Sequence, residues 1–307
     1  MDIYLDQNQW IPLARAFHGR ESSAALNQVA RLASDAVAAG RVRFPISRSH
    51  LLEATKSADE VQRKRLIAAF LHFGRGWIVR PAELLYGEEL LRWSCGETPR
   101  ASSAIGRGLL AAYSDSRVAA RQFGVSVAEI EETDRFGDSP AAWYFTLTRP
   151  GFCSHVKETQ AIAQNYANRV EGVRSAWAQL PPLKRKVVFA EGVIQDTISS
   201  LEPMTPELRA AMNLLASRPP TELPAAIGEI PTLDVLFVLS EAKTRDLSRP
   251  TDPNDLWDLG FLAPTLPYCQ VVVTEKYWAH LAKATRLDKK YSCTVLPRLE
   301  ELMPFLE

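Results

Sequence analysis

Two short apolar runs near opposite ends of the chain, Ile3-Tyr4-Leu5 and Val271-Val272-Val273, each reach an acidic residue within two positions: Asp6 after the first, Glu275 after the second. Unbroken apolar runs of this length suit strands covered on both faces, the usual state of a parallel sheet. A helical pattern follows each run, and parallel strands need such crossovers. The fold class expected is therefore α/β. In open sheets of this kind ligands gather at the carboxyl ends of the strands, where both acids fall.

The first part of the chain reads as a strand at 2–6, then a helix from Gln7 with Trp10, Leu13, Ala14 and Phe17 on one face. Ser22 or Ser23 caps a second helix that Gly40 ends. Val42-Arg43-Phe44-Pro45-Ile46 reads as a second strand, and Ser47 or Ser49 opens a helix bearing His50 and Glu53. The same grammar returns late: a helix from Leu233 to Lys243, another from Asp255 to Leu262, and a strand from Gln270 to Val273. A helix through Tyr277, Leu281 and Ala284, a strand from Ser292 to Leu296 and a last helix closed by Pro304 complete it. Between these ends the periodicity predicts helices at 60–73, 104–121, 154–179, 183–200 and 206–216, with Ser57-x-x-Glu60 as a capping box. The expected organisation is one discontinuous α/β domain, 1–56 with 231–307, and an all-helical insertion over 57–230.

Composition removes several classes of function. An apolar fraction of 46% in 307 residues excludes a disordered chain. Lys plus Arg equals Asp plus Glu at 36 each, so no global basic field draws the chain to nucleic acid, and any polyanion needs a local patch. Cys95, Cys153, Cys269 and Cys293 lack Cys-x-x-Cys spacing, and the five histidines complete no zinc pattern. With no leader pattern and no apolar run near the ~18 residues of a membrane span, a reducing cytoplasm is the expected compartment.

The chemistry suggested by the sequence is carried by acids: Asp6, Glu53, Asp258 and Glu275, with Asp255 as an alternative to Asp258. Magnesium and manganese take hard oxygen ligands. A cluster of carboxylates can hold such an ion and use it to activate water against a phosphodiester. Without the ion, two carboxylates ~4 Å apart repel by roughly 4 kcal/mol at an effective dielectric of 20. Each acid also has a plainer reading. Asp6 can cap the next helix, Glu53 can be a solvated helix residue, and Asp255 and Glu275 can be helix-start carboxylates. Gln7, Asn8, Ser47, Thr274 and Lys276 stand beside these acids as possible supports for metal-bound water or substrate. His50 can position a phosphate or relay a proton, or be a hydrogen-bonded structural histidine. Arg48, Lys56, Arg245 and Arg249 flank the proposed pocket in sequence and can grip a nucleic-acid backbone or simply solubilise the surface.

Taken together, Tyr4-Leu5-Asp6-Gln7-Asn8, Ile46-Ser47 with Glu53 on the following helix, Asn254-Asp255-Leu256-Trp257-Asp258 and Val273-Thr274-Glu275 resemble the PIN-domain-like ribonucleases, which include many bacterial toxin nucleases. The resemblance covers roughly residues 1–56 and 231–307. It implies a three-layer α/β/α fold and magnesium- or manganese-dependent hydrolysis of phosphodiester bonds, most often in RNA. It also implies 5'-phosphate and 3'-hydroxyl products and a possible protein inhibitor or partner. Glu275 stands where the family more often has Asp, and the long crossover departs from the small toxin nucleases. A non-catalytic RNA- or protein-binding module and a DNA-directed nuclease are the competing expectations.

One competing motif lies at 119–130, where Ala119 to Ile130 has the spacing of a helix-turn-helix. Glu129, Glu131, Glu132 and Asp134 would repel phosphate, so a plain helical hairpin is expected instead. Arg63-Lys64-Arg65 and Lys184-Arg185-Lys186 are the compact basic clusters, and Trp143-Tyr144-Phe145 can stack on bases or belong to a core.

Overall fold

A parallel three-stranded sheet, ordered β1 (Ile3–Leu5), β4 (Val271–Val273), β5 (Thr294–Leu296), and a separate antiparallel pair, β2 (Trp77–Val79) and β3 (Ile105–Arg107), belong to a mostly helical α/β protein. The computed structural model describes the chain apart from residues 57–58, 102, 114, 124, 136–146, 149–155 and 202–203. The side chains at 52, 53, 55, 56, 122, 123 and 156–159 also lie outside the described set.

The elements begin with β1 (Ile3–Leu5), α1 (Gln7–Phe17), α2 (Ala24–Ala38), α3 (Arg48–Lys56), α4 (Glu60–Gly74), β2 (Trp77–Val79) and α5 (Ala82–Ser94). Next come β3 (Ile105–Arg107), α6 (Ser116–Phe123), α7 (Val127–Arg135), α8 (Val156–Ala178), α9 (Pro182–Leu201), α10 (Pro206–Ala216) and α11 (Leu223–Ile227). The chain ends through α12 (Pro231–Arg245), α13 (Asn254–Thr265), β4 (Val271–Val273), α14 (Lys276–Ala284), α15 (Leu287–Lys290) and β5 (Thr294–Leu296). These elements form two compact units, Met1–Arg80 with Ile105–Thr159 and Tyr268–Glu307, and Pro81–Ala104 with Gln160–Pro267. Residues 57–80 thus fall with the sheet and 231–267 with the helical unit, a division different from the one the sequence suggested.

In the first unit β1 and β4 pair in register, Ile3 with Val271 and Leu5 with Val273, and β5 continues the sheet on the far side of β4. β1 and β4 are both covered, with no residue of either more than 1% exposed. The expected strand at 42–46 is present only as two parallel bridges, Arg43 to Asp2 and Ile46 to Ile78. Pro45 interrupts it, having no N–H to give a ladder. The core beneath is aromatic: Trp10 meets Phe70 edge-on at 5.0 Å and Phe44 at 6.4 Å.

The expected helix over 104–121 is corrected. Ile105–Arg107 is a strand paired with β2, Leu109–Ala112 is a 3₁₀ turn, and the helix starts only at Ser116. Gly106 and Gly108 defeat the apolar periodicity, and Gly108 adopts φ 91°, open to glycine at little cost. β2 and α5 were not expected either, and the closing helix is a 3₁₀ segment, Leu299–Phe305, with Pro304 inside it. Ser23 caps α2 through the Leu26 amide. The cap of α4 is Asp59, which accepts from Val61 and Gln62, while Ser57 of the expected capping box lies outside the described residues. α6 and α7 form the helical hairpin expected at 119–130, Gly124 being outside the described residues, as are Trp143, Tyr144 and Phe145.

In the second unit α8 from Gln160 onward, α9, α10, α12 and α13 answer to expected helices and are joined by α5 and α11. Its interior holds polar anchors: Glu89, fully buried, accepts from the Thr232 amide at 2.9 Å and the Thr232 hydroxyl at 2.7 Å. Among the described residues no helix is long and apolar enough to cross a membrane.

Candidate functional site

Because β1 and β4 run parallel and side by side, the residues that leave their carboxyl ends emerge together. Asp6 leaves β1 and caps α1, its Oδ1 accepting the Gln9 amide at 3.1 Å. Its Oδ2 accepts the Glu275 amide at 2.8 Å, which ties the end of β1 to the end of β4. Glu275 in turn precedes α14, and its Oε1 accepts a short hydrogen bond from the Asn8 side chain. Asp6, Asn8, Thr274 and Glu275 are thus brought together by strand pairing alone.

Asp6 is 3% exposed. Burial raises its carboxyl to about 6, with the negative charge of Glu275 adding to the rise and the Thr274 hydroxyl and the Gln9 and Glu275 amides opposing it. The Thr274 hydroxyl is close enough to act on Asp6, yet this fully buried oxygen makes no hydrogen bond of ordinary geometry to any described residue. The buried Gln7 Oε1 is in the same condition. A buried carboxyl reluctant to ionise, with an unsatisfied hydroxyl beside it, is a setting in which a cation would relieve both groups.

The remaining sequence-nominated residues fall as follows. Glu53 lies on α3, but its side chain is outside the described residues. Asp255 and Asp258 lie on α13, in the second unit. Asp255, 1% exposed, is already engaged: Lys243 Nζ stands 3.3 Å away, Arg249 3.2 Å, and the Asp252 amide donates to it at 2.7 Å. Asp258 is partly exposed and has a partner of its own. Among the described residues no group of three His, Cys, Asp or Glu side chains gathers as a metal site.

His50 is held in a buried hydrogen-bond network. It is 1% exposed, its Nδ1 accepts the Ser47 amide at 3.0 Å, and its Nε2 faces the Tyr4 hydroxyl at 3.3 Å. Burial pushes the ring down to about 3, so the imidazole is neutral at neutral pH. Ser47 is spent in the same network, accepting from Tyr4 at 3.1 Å. Lys276 and Asn8 are exposed, and Arg245 pairs with Glu241 at 3.2 Å.

The buried Lys243–Asp255–Arg249 cluster escaped the sequence reading. Arg249 and Lys243 had been readable only as isolated charges, and nothing in their spacing announces that one buried carboxylate holds both. Comparison of the chain with protein-family models, with curated proteins and with solved structures gave no match.

Proposed function

We propose that the chain is a magnesium- or manganese-dependent endoribonuclease, its first unit a PIN-like three-layer α/β/α domain, that hydrolyses RNA to 5'-phosphate and 3'-hydroxyl products. The observation that carries the reading is the meeting of Asp6 and Glu275 at the carboxyl ends of two neighbouring parallel strands, where open α/β sheets place their ligands.

The residues there fit a hard divalent ion. Asp6, Glu275 and the unsatisfied Thr274 hydroxyl present oxygen alone, the donor type magnesium and manganese prefer, and Glu53 on α3 is the further proposed ligand. Such an ion, when bound, supplies a more acidic water and offsets charge growing on the phosphate. The chain's own contribution is positional. The Gln9 and Glu275 amides fix both Asp6 oxygens, and Asn8 fixes Glu275.

The test is incubation of labelled transfer, ribosomal and messenger RNA with wild-type and Asp6→Asn protein, with manganese or with chelator. Cleavage is expected from wild type with manganese only, falling at least about 100-fold in the variant. Asp258→Asn in the same assay tests the remaining acid nominated from the sequence. Cleavage indifferent to Asp6→Asn removes the assignment. The engagement of Asp255 by Lys243 and Arg249 favours one second reading, a non-catalytic binding module. Protein inert with every divalent ion would be its signature.

A further inference from the structure

A cleft of about 550 Å³ opens on the first unit, lined by residues of α1, α3 and α4 and of the turn after α1. Its charged lining is arginine alone: Arg15, Arg20, Arg63 and Arg65, joined by His18. That concentration stands out in a chain whose basic and acidic residues balance at 36 each. Glu21 stands 3.5 Å from Arg15, and Glu60 acts electrostatically on Arg63. The other Glu21 oxygen is taken by the amides of Ser22 and Ser23, at 3.0 and 3.2 Å. Lys64, between two of the arginines in sequence, pairs with Glu60 and is not part of the lining.

The rest of the lining suits a chain of nucleotides. Ile11 and Leu66 give the cleft apolar surface, and its volume lies within the ~300–1,000 Å³ of small-ligand sites. Gln7, the residue after Asp6, also lines it, and its buried Oε1 lacks a donor among the described residues. Ala54, also in the lining, follows Glu53. Two residues of the lining, Gln7 and Ala54, thus adjoin proposed carboxylates in the chain, and the charged lining is positive.

The geometry points to this cleft as the seat of the sugar-phosphate backbone of a single RNA strand, with phosphates on Arg20, Arg63 and Arg65. The choice of RNA as the polyanion rests on the nuclease reading; the cationic cleft itself does not.

Fluorescence anisotropy with a labelled single-stranded oligoribonucleotide, in chelator, tests it on wild-type, Asp6→Asn and Arg20→Gln/Arg65→Gln proteins. With three phosphate contacts, raising salt from about 50 to about 200 mM should weaken wild-type binding about 20-fold, and with one contact left in the double variant about threefold. The double variant should also bind at least about tenfold more weakly at the lower salt. Asp6→Asn, which removes a negative charge, should bind no more weakly than wild type, and Arg20→Lys/Arg65→Lys should retain most of the affinity, which separates lost charge from lost folding. The single Arg20→Gln variant, at an exposed position, should show an intermediate loss. Equal affinity and equal salt dependence in wild type and double variant overturn the assignment, as does tighter binding of polyglutamate or duplex DNA than of RNA. The two readings fail separately. Metal-dependent cleavage lost in Asp6→Asn, with binding untouched by the arginine changes, sinks the cleft alone; binding lost with the arginines while no protein cleaves sinks the nuclease alone.

Discussion

Asp6→Asn should raise the stability of the metal-free protein above pH 6 and lower it near pH 4. The Asp6 carboxyl is 3% exposed and burial raises it from 3.8 to about 6. A shift of about two units corresponds to about 3 kcal/mol, at 1.36 kcal/mol per unit. The sign follows from proton counting. Between about 4 and about 6 the folded chain holds the proton and the unfolded chain has released it, so stability falls as pH rises through that window and stays reduced above it. Asparagine carries no charge and escapes the penalty. Its oxygen can still accept the Gln9 amide, but its NH₂ cannot accept from Glu275, a loss of about 1–2 kcal/mol. The variant should therefore be about 1–2 kcal/mol more stable than wild type at pH 7 and about 1–2 kcal/mol less stable at pH 4. Urea unfolding followed by far-ultraviolet circular dichroism in chelator, at pH 4 through 8, reads both differences. Parallel stability curves across that range, or a variant weaker than wild type at pH 7, would refute the reasoning. Adding manganese should lift wild type at neutral pH by mass action and leave the variant where it was.

Two further changes probe the rest of the fold. Lys243→Met removes one of two cations from the buried Asp255 carboxylate and empties two carbonyl contacts, to Arg249 and Pro250; thermal unfolding should show a loss of about 3–5 kcal/mol, and an unchanged midpoint would mean Asp255 is not held by this pair. Gly108→Ala forces a side chain onto φ 91° and into the Asp134 carboxylate that accepts the Leu110 amide; a loss of about 1–3 kcal/mol is expected from the backbone conformation alone, and a neutral result would refute that strain.

The sequence exposed what depends on local chemistry and hid what depends on partners. Ile3-Tyr4-Leu5 and Val271-Val272-Val273 read as strands because no polar residue interrupts them, and their parallel pairing followed from the helices between. Ser23 and Gly40 marked the ends of α2 in the same way. β2 and β3 were illegible because Trp77–Val79 and Ile105–Arg107 are three residues each and exist only through each other. At 42–46 the apolar pattern was right but Pro45 leaves only bridges. Within the candidate site, Asp6 and Glu275 were legible because strand ends fix them. Asp255 showed the opposite: its helix-start position was readable, and the two cations that claim it come from α12 and from the loop after it, which no spacing rule connects.

Capping and the proposed cation binding are not rival roles for Asp6, because one geometry serves both. A strand that ends under the first turn of a helix turns its next carboxylate toward free amides, and here those amides come from α1 and from the end of β4. The two hydrogen bonds hold the group in place but do not repay its burial, since the carboxyl still sits near 6. A carboxylate used only as a cap gains nothing from such burial, and an exposed one would cap as well at less cost. The deficit is electrostatic, with Glu275 contributing to it, and the addition that removes it without undoing either hydrogen bond is positive charge beside the two acids.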